Sequence, residues 1–101
     1  MNEIINKLPV KFRNDIEKAT IILKNYGCSE IYIFGSLANE KYNEKSDIDI
    51  AIRGLKEELF FRVFAELRKE LESEIDLIDL DDKSNRFSQF ILTKGELIQV
   101  A

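Results

Sequence analysis

The sequence predicts one α/β domain, and three observations carry that prediction. Apolar residues recur first at helical and then at strand spacing, alternately along the whole chain. The length of 101 residues suits one compact unit over residues 1–101 and leaves no room for two. Hydrophobic residues make up 45% and charged residues 34%, so a core can be buried under a wet surface and a disordered chain is excluded.

Each element has its own reason. Between Lys11 and Tyr26, Phe12, Ile16, Ala19 and Leu23 recur at helical spacing, with Gly27 as the stop. Ile31-Tyr32-Ile33-Phe34 is a β-branched and aromatic run, read as a buried strand ending at Gly35-Ser36. Leu37 to Ser46 is polar, with Asn39, Glu40, Asn43 and Glu44, and is expected as a short helix or loop. From Asp47 to Ile52 the residues alternate, with Ile48, Ile50 and Ile52 on one face and Asp47, Asp49 and Ala51 on the other. Gly54 breaks that strand. A long helix from about Lys56 to Glu72 gathers Leu59, Phe60, Val63, Phe64, Leu67 and Leu71 on one side. Ile75 to Leu80 reads as a third strand. Ser84 is expected to N-cap a helix through Thr93 that turns Phe87, Phe90 and Ile91 inward, with Gly95 as its stop. Leu97 to Val100 closes the chain as a short strand.

Composition narrows the chemistry. The chain has no histidine, so catalytic triads, imidazole acid–base steps and His–metal sites are excluded. A single cysteine, Cys28, excludes an internal disulfide and a thiolate metal cluster. The net charge of −4 attracts cations and basic partners and does not hold a nucleic acid polymer by bulk charge. No apolar run approaches the roughly 20 residues a bilayer span needs, and the first residues lack a signal-peptide stretch, so no membrane contact is expected and the expected location is cytoplasmic.

Gly35-Ser36 after one strand, Asp47-Ile48-Asp49 on the next and Asp76 on the third form the candidate site. Asp47 and Asp49 share a face, with Cα atoms about 6.6 Å apart at the usual strand rise. Two carboxylates so close raise each other's pKa unless a cation lies between them. A divalent metal reverses that cost, and Mg²⁺ favours carboxylate oxygens together with phosphates. Asp76 would complete a two-metal site suited to in-line phosphoryl displacement. Glycine lets a phosphate approach the backbone, the amides opening the next turn are donors, and the Ser36 hydroxyl adds another. Taken singly, a Gly-Ser is a turn and an Asp-x-Asp a wet strand edge; the ordered set points to a metal-bridged triphosphate.

Phe34-Gly35-Ser36, then Asp47-Ile48-Asp49-Ile50, then Ile75-Asp76-Leu77-Ile78 resembles the minimal nucleotidyltransferases of the DNA polymerase β-like superfamily. The likeness runs from about Ile31 to Val100 and includes Lys94-Gly95-Glu96-Leu97-Ile98. It implies a small mixed β-sheet with flanking helices. It also implies Mg²⁺-dependent transfer of a nucleoside monophosphate, expected to be AMP from ATP, to an acceptor hydroxyl with release of pyrophosphate. By that resemblance Asp47 and Asp49 bind both metals and the triphosphate, Asp76 binds the second metal and orients or deprotonates the acceptor, and Gly35 and Ser36 hold the β,γ-phosphates. Many relatives read Gly-Ser-x-Ala-Arg-Gly where this chain has Gly35-Ser36-Leu37-Ala38-Asn39-Glu40. Lys41 and Lys45 are the candidates to replace the missing arginine.

So small a chain has little left for an acceptor pocket, which is expected to come from a homodimer or a second protein. Relatives of this size pair with helical HEPN-type proteins, some as antitoxins that adenylylate a toxin partner, so the resemblance implies an antitoxin-like role. The alternative is a non-catalytic nucleotide- or partner-binding module that keeps the fold. Asp79 falls three residues after Asp76 and is expected to face the other way. Asp81, Asp82 and Lys83 read as a solvated turn, Cys28 as a small apolar neighbour of the first strand, Tyr42 as a surface tyrosine and Arg53 as half of a surface ion pair.

Overall fold

A computed structural model describes residues 2–94 and 96–101 of the chain. The elements run α1 (Glu3–Asn6), α2 (Val10–Asn25), β1 (Glu30–Phe34), β2 (Ile48–Arg53), a 3₁₀ turn (Glu57–Leu59) leading into α3 (Phe60–Glu70), β3 (Ile75–Asp79), α4 (Arg86–Lys94) and β4 (Ile98–Gln99). The four strands form one mixed sheet in the order β3-β2-β1-β4. β1 is antiparallel to β2 and β4, whereas β2 and β3 are parallel and joined through α3, as a parallel pair requires a crossover. No described helix is long and apolar enough to cross a membrane.

Strand alternation sorts the core onto two faces. Ile31 and Ile33 of β1, with Ile48, Ile50 and Ile52 of β2, join Phe12, Ile16 and Leu23 of α2 and Val63 and Leu67 of α3 in the main cluster. The isoleucine stripe of β2 is fully buried, as its spacing predicts. On the opposite face Phe34, Ala51 and Ile78 pack with Leu80 and with Ile91 of α4 in a smaller cluster. That thinner layer leaves one end of the sheet uncovered, and the candidate site lies there.

Several expectations shift. α1 was not anticipated, because four residues are too few for a period to register; Asn2 caps it, accepting from the Ile4 amide at 2.7 Å. The helix expected from Lys56 to Glu72 is a 3₁₀ turn followed by α3, which ends at Glu70 because Leu71 turns extended and buries its side chain. Leu37 to Ser46 is a series of turns. The cap of α4 is Asn85, whose Oδ1 accepts from the Phe87 and Ser88 amides at 2.9 and 3.3 Å, while the Ser84 hydroxyl donates to Asp82. The proposed stop, Gly95, lies outside the described residues. Phe87 and Phe90 do not turn inward; they are 52% and 58% exposed, and Ile91 is the member that is buried. The cause is Ser88, fully buried, whose hydroxyl donates to the Asp79 carbonyl at 3.0 Å. Ser88 and Ile91 together make the seam on the sheet, so the two phenyl rings are rotated to its rim.

The break after α3 depends on Asp15, a charged residue of α2 that is only 1% exposed. Its two oxygens accept from the Glu72 amide at 3.1 Å and the Ser73 amide at 2.9 Å. One carboxylate thus satisfies both donors where the chain turns into β3. Asp15→Ala strands those amides and is expected to cost about 2–4 kcal/mol, with Asp15→Asn costing less because one acceptor remains. Urea denaturation of both variants measures this; equal stability of Asp15→Ala and the parent would refute it.

Candidate active site

β1 ends at Phe34, and Phe34 pairs with Asp49, which in turn pairs with Asp76. The end of β1 and the beginnings of β2 and β3 therefore meet at one edge of the sheet. Asp49 and Asp76 lie side by side on adjacent strands and on the α4 face. Their carboxyls are close enough to share a hydrogen bond. Burial first, then the charge of Asp76, that shared bond and the charge of Asp47 push the Asp49 carboxyl up to about 6. Asp76 itself is exposed, and so is Asp47, which stands just before β2. Among the described residues, no three carboxylates stand together closely enough to hold a metal ion jointly. The arrangement is a pair with a third charge beside it.

Gly35 is built against that pair. Its φ of +71° is one that side chains disfavour, and an added Cβ would lie 2.0 Å from Asp49 Oδ2. Only glycine admits this approach of backbone to carboxylate. The chain then makes one helical turn, in which the Ala38 and Asn39 amides donate to the Gly35 carbonyl at 3.1 and 3.0 Å. The first amides of such a turn have no acceptor within it. Leu37 and Ala38 anchor the turn, 0% and 2% exposed. Ser36 follows Gly35, half-buried, and its carbonyl accepts from the Lys41 amide at 3.1 Å.

Glu40 closes the turn at φ +63°, the one non-glycine among the described residues with a positive φ. This is the position at which the resembling motif carries its second glycine, a residue that adopts a positive φ without strain. Glu40→Gly is expected to stabilise the protein by about 0.5–1 kcal/mol, the left-handed strain relieved less the added freedom of the unfolded chain. Thermal melts of the two proteins test it, and a lowered melting temperature would contradict it.

A cleft of about 740 Å³ opens over this edge, lined by Gly35, Asp49, Asp76, Asn39, Lys41 and Glu96 on its polar side and by Phe34, Phe87 and Phe90 among its apolar residues. Of the expected site residues, Gly35, Asp49 and Asp76 line it; Ser36 and Asp47 flank it. Of the two candidate cations, Lys41 lines the cleft and Lys45 does not. Glu96, Phe87 and Phe90 were not anticipated there, since the phase of α4 on the sheet is a tertiary property. Asp79 faces the other way, its Oδ1 accepting from the Asp81 amide at 2.9 Å. Asp81 is more than a wet turn: it accepts from Arg53 at 3.0 Å and from the Gly54 amide at 2.8 Å, pinning the end of β2. Burial, then the charge of Asp79, push the Cys28 thiol up to about 11, which makes it unreactive. Tyr42 packs edge-on against Phe12, ring centroids 6.0 Å apart, and is committed to the core margin.

Residues 14–100 match the family described as Polymerase beta, Nucleotidyltransferase. The protein adenylyltransferase MntA of Shewanella oneidensis is 30% identical over 94 residues, covering 90% of this chain and 61% of that protein. The chain thus spans about three fifths of that relative's length. A crystal structure of a toxin–antitoxin with AMP-PNP is similar at a TM-score of 0.61 and 30% identity, over 83% of this chain and 69% of that one. A structure of the tri-AMPylated Shewanella oneidensis HEPN toxin in complex with MNT antitoxin gives a TM-score of 0.59 at 27% identity, over 84% and 69% of the two chains.

Proposed function

The chain belongs to the polymerase beta nucleotidyltransferase family, and on that premise we propose that it transfers AMP from ATP to a hydroxyl of a HEPN-type helical protein, acting as the antitoxin-like member of the pair. The observation that supports this most is the meeting of Gly35, Asp49 and Asp76 in one cleft. The acceptor oxygen bonds to the α-phosphorus, the bond from that phosphorus to the bridging oxygen breaks, and pyrophosphate leaves with the electron pair. The acceptor proton passes to a carboxylate, a role we assign to Asp76, which is exposed.

The carboxylate pair fits a hard divalent cation, because a cation held between Asp49 and Asp76 offsets the burial and the neighbouring charges that push the Asp49 carboxyl up to about 6. Asp49 and Asp76, with Asp47 drawn in from its flanking position, would hold Mg²⁺. Bound there, Mg²⁺ would neutralise the triphosphate and make the α-phosphorus more electrophilic. The chain's own groups do the rest by position and charge. Gly35 lets the polyphosphate approach the backbone, Ser36 and the turn amides donate to it, and the Lys41 ammonium supplies the charge absent at Asn39.

The binding-module reading is favoured by Asn39-Glu40, which stand where many relatives carry arginine and glycine. Labelled ATP separates the two readings. With Mg²⁺ and the co-purifying partner, label at the α-phosphate is expected on the partner and label at the γ-phosphate is not, with EDTA abolishing the transfer. A stable complex that acquires no α-label would establish the module instead.

A further inference from the structure

We propose that Phe87 and Phe90 form the nucleobase subsite of the cleft, the base of the nucleotide stacking on their rings; this rests on the nucleotidyltransferase reading above. The two rings lie 18° from parallel with centroids 6.5 Å apart, and Phe34 packs on Phe87 at 6.3 Å. Phe87 and Phe90 are more than half exposed, although Ile91 on the same helix is buried. Two phenyl rings left half in water are unfavourable until something covers them. Both line the cleft that holds Asp49 and Asp76, so the ligand of that cleft is what can cover them.

The occupant follows from continuity. Phe34 immediately precedes Gly35, so the run Phe34, Phe87, Phe90 starts at the phosphate turn and leads away from it. A nucleotide has the same polarity, charge at one end and a flat aromatic face at the other. Stacking of a base on an aromatic side chain needs no edge-on hydrogen bonds and suits a wall made of phenyl rings.

The chain has no tryptophan, so Phe90→Trp creates a lone tryptophan that can be excited apart from the three tyrosines. Mg²⁺-ATP is expected to quench it and Mg²⁺-tripolyphosphate, which has the charges without the base, is not. Calorimetry on the Phe87→Ser/Phe90→Ser variant, its fold checked by circular dichroism, is expected to show ATP binding weakened roughly 10- to 100-fold. Tripolyphosphate affinity should be unchanged, and Phe87→Tyr/Phe90→Tyr should restore ATP binding. Unchanged ATP affinity in the serine variant overturns the subsite, including the case where labelling of the partner falls and the wall belongs to the acceptor. Equal weakening of ATP and tripolyphosphate overturns it as well. Failure of the parent protein to bind either ligand overturns the nucleotidyltransferase reading together with the subsite.

Discussion

Gly35→Ala is expected to lose the proposed AMP transfer by at least about 100-fold, the scale on which a misplacement of roughly 1 Å disables a positioned group. The alanine Cβ would lie 2.0 Å from Asp49 Oδ2 and 3.0 Å from its Cγ, so the carboxylate must move. Pairing with Phe34 on one side and Asp76 on the other fixes the Asp49 backbone, so the carboxylate can yield only by swinging away from its place beside Gly35. The φ of +71° adds backbone strain of about 1–2 kcal/mol for any L side chain. A combined stability loss of about 2–3 kcal/mol is therefore expected, from strain and displacement together. Gly27→Ala is the control: φ is +102° there, but nothing lies within 4 Å of the added Cβ. It should lose stability through strain and keep its transfer rate. Parallel urea melts and α-labelling time courses make the comparison, and a fully active Gly35→Ala would remove Gly35 from the site.

Asp49→Asn is expected to move activity and stability in opposite directions. Transfer should fall by roughly 10²–10³-fold, as when a principal charge-stabilising group is lost. Stability in EDTA at pH 7–8 should rise by about 1 kcal/mol, after allowing for screening of a carboxyl that is only half-buried. The sign follows from linkage. The folded protein holds the Asp49 proton up to about pH 6, whereas the unfolded chain releases it near the ordinary carboxylate value. The folded state is thus penalised above pH 6, and the penalty is relieved as pH falls from 6 toward 4. The variant's advantage should be full at pH 8 and fade across that window. Thermal melts of both proteins at pH 4.5 and 8 measure the difference directly. A variant less stable than the parent at pH 8 would mean that Asp49 is not strained by burial and by Asp76. The stability conceded at neutral pH is what a cation-binding pair is expected to cost when empty of its cation.

Much of the molecule is legible from local pattern. The alternation Ile48, Ile50, Ile52 predicts a buried strand with Asp49 on its other face, and every one of those isoleucines is fully buried. The parity of Asp76 and Asp79 predicts which of the two carboxyls shares a face with Asp49. Arg53 is half of an ion pair, at 3.0 Å from Asp81. Legibility fails where a side chain answers to a distant one. Asp15 reads as a polar position on α2, yet it caps amides 57 and 58 residues away. Glu40 keeps a glycine-like backbone that its identity does not announce. Phe87, Phe90 and Ile91 share one apolar side of α4, and no helical period says which of them the sheet will take.

Spacing along the chain settles which residues share a face, because helix and strand periods are local backbone geometry. It was enough to name Gly35, Ser36, Asp47, Asp49 and Asp76 as candidates and to exclude histidine chemistry. Only packing decided that Asp49 and Asp76 stand in register, that Gly35 touches one of them, and that Lys41 and two phenyl rings complete the cleft. Register and helix phase are set by contacts between segments far apart in sequence, whose energies depend on the partner as much as on the residue itself.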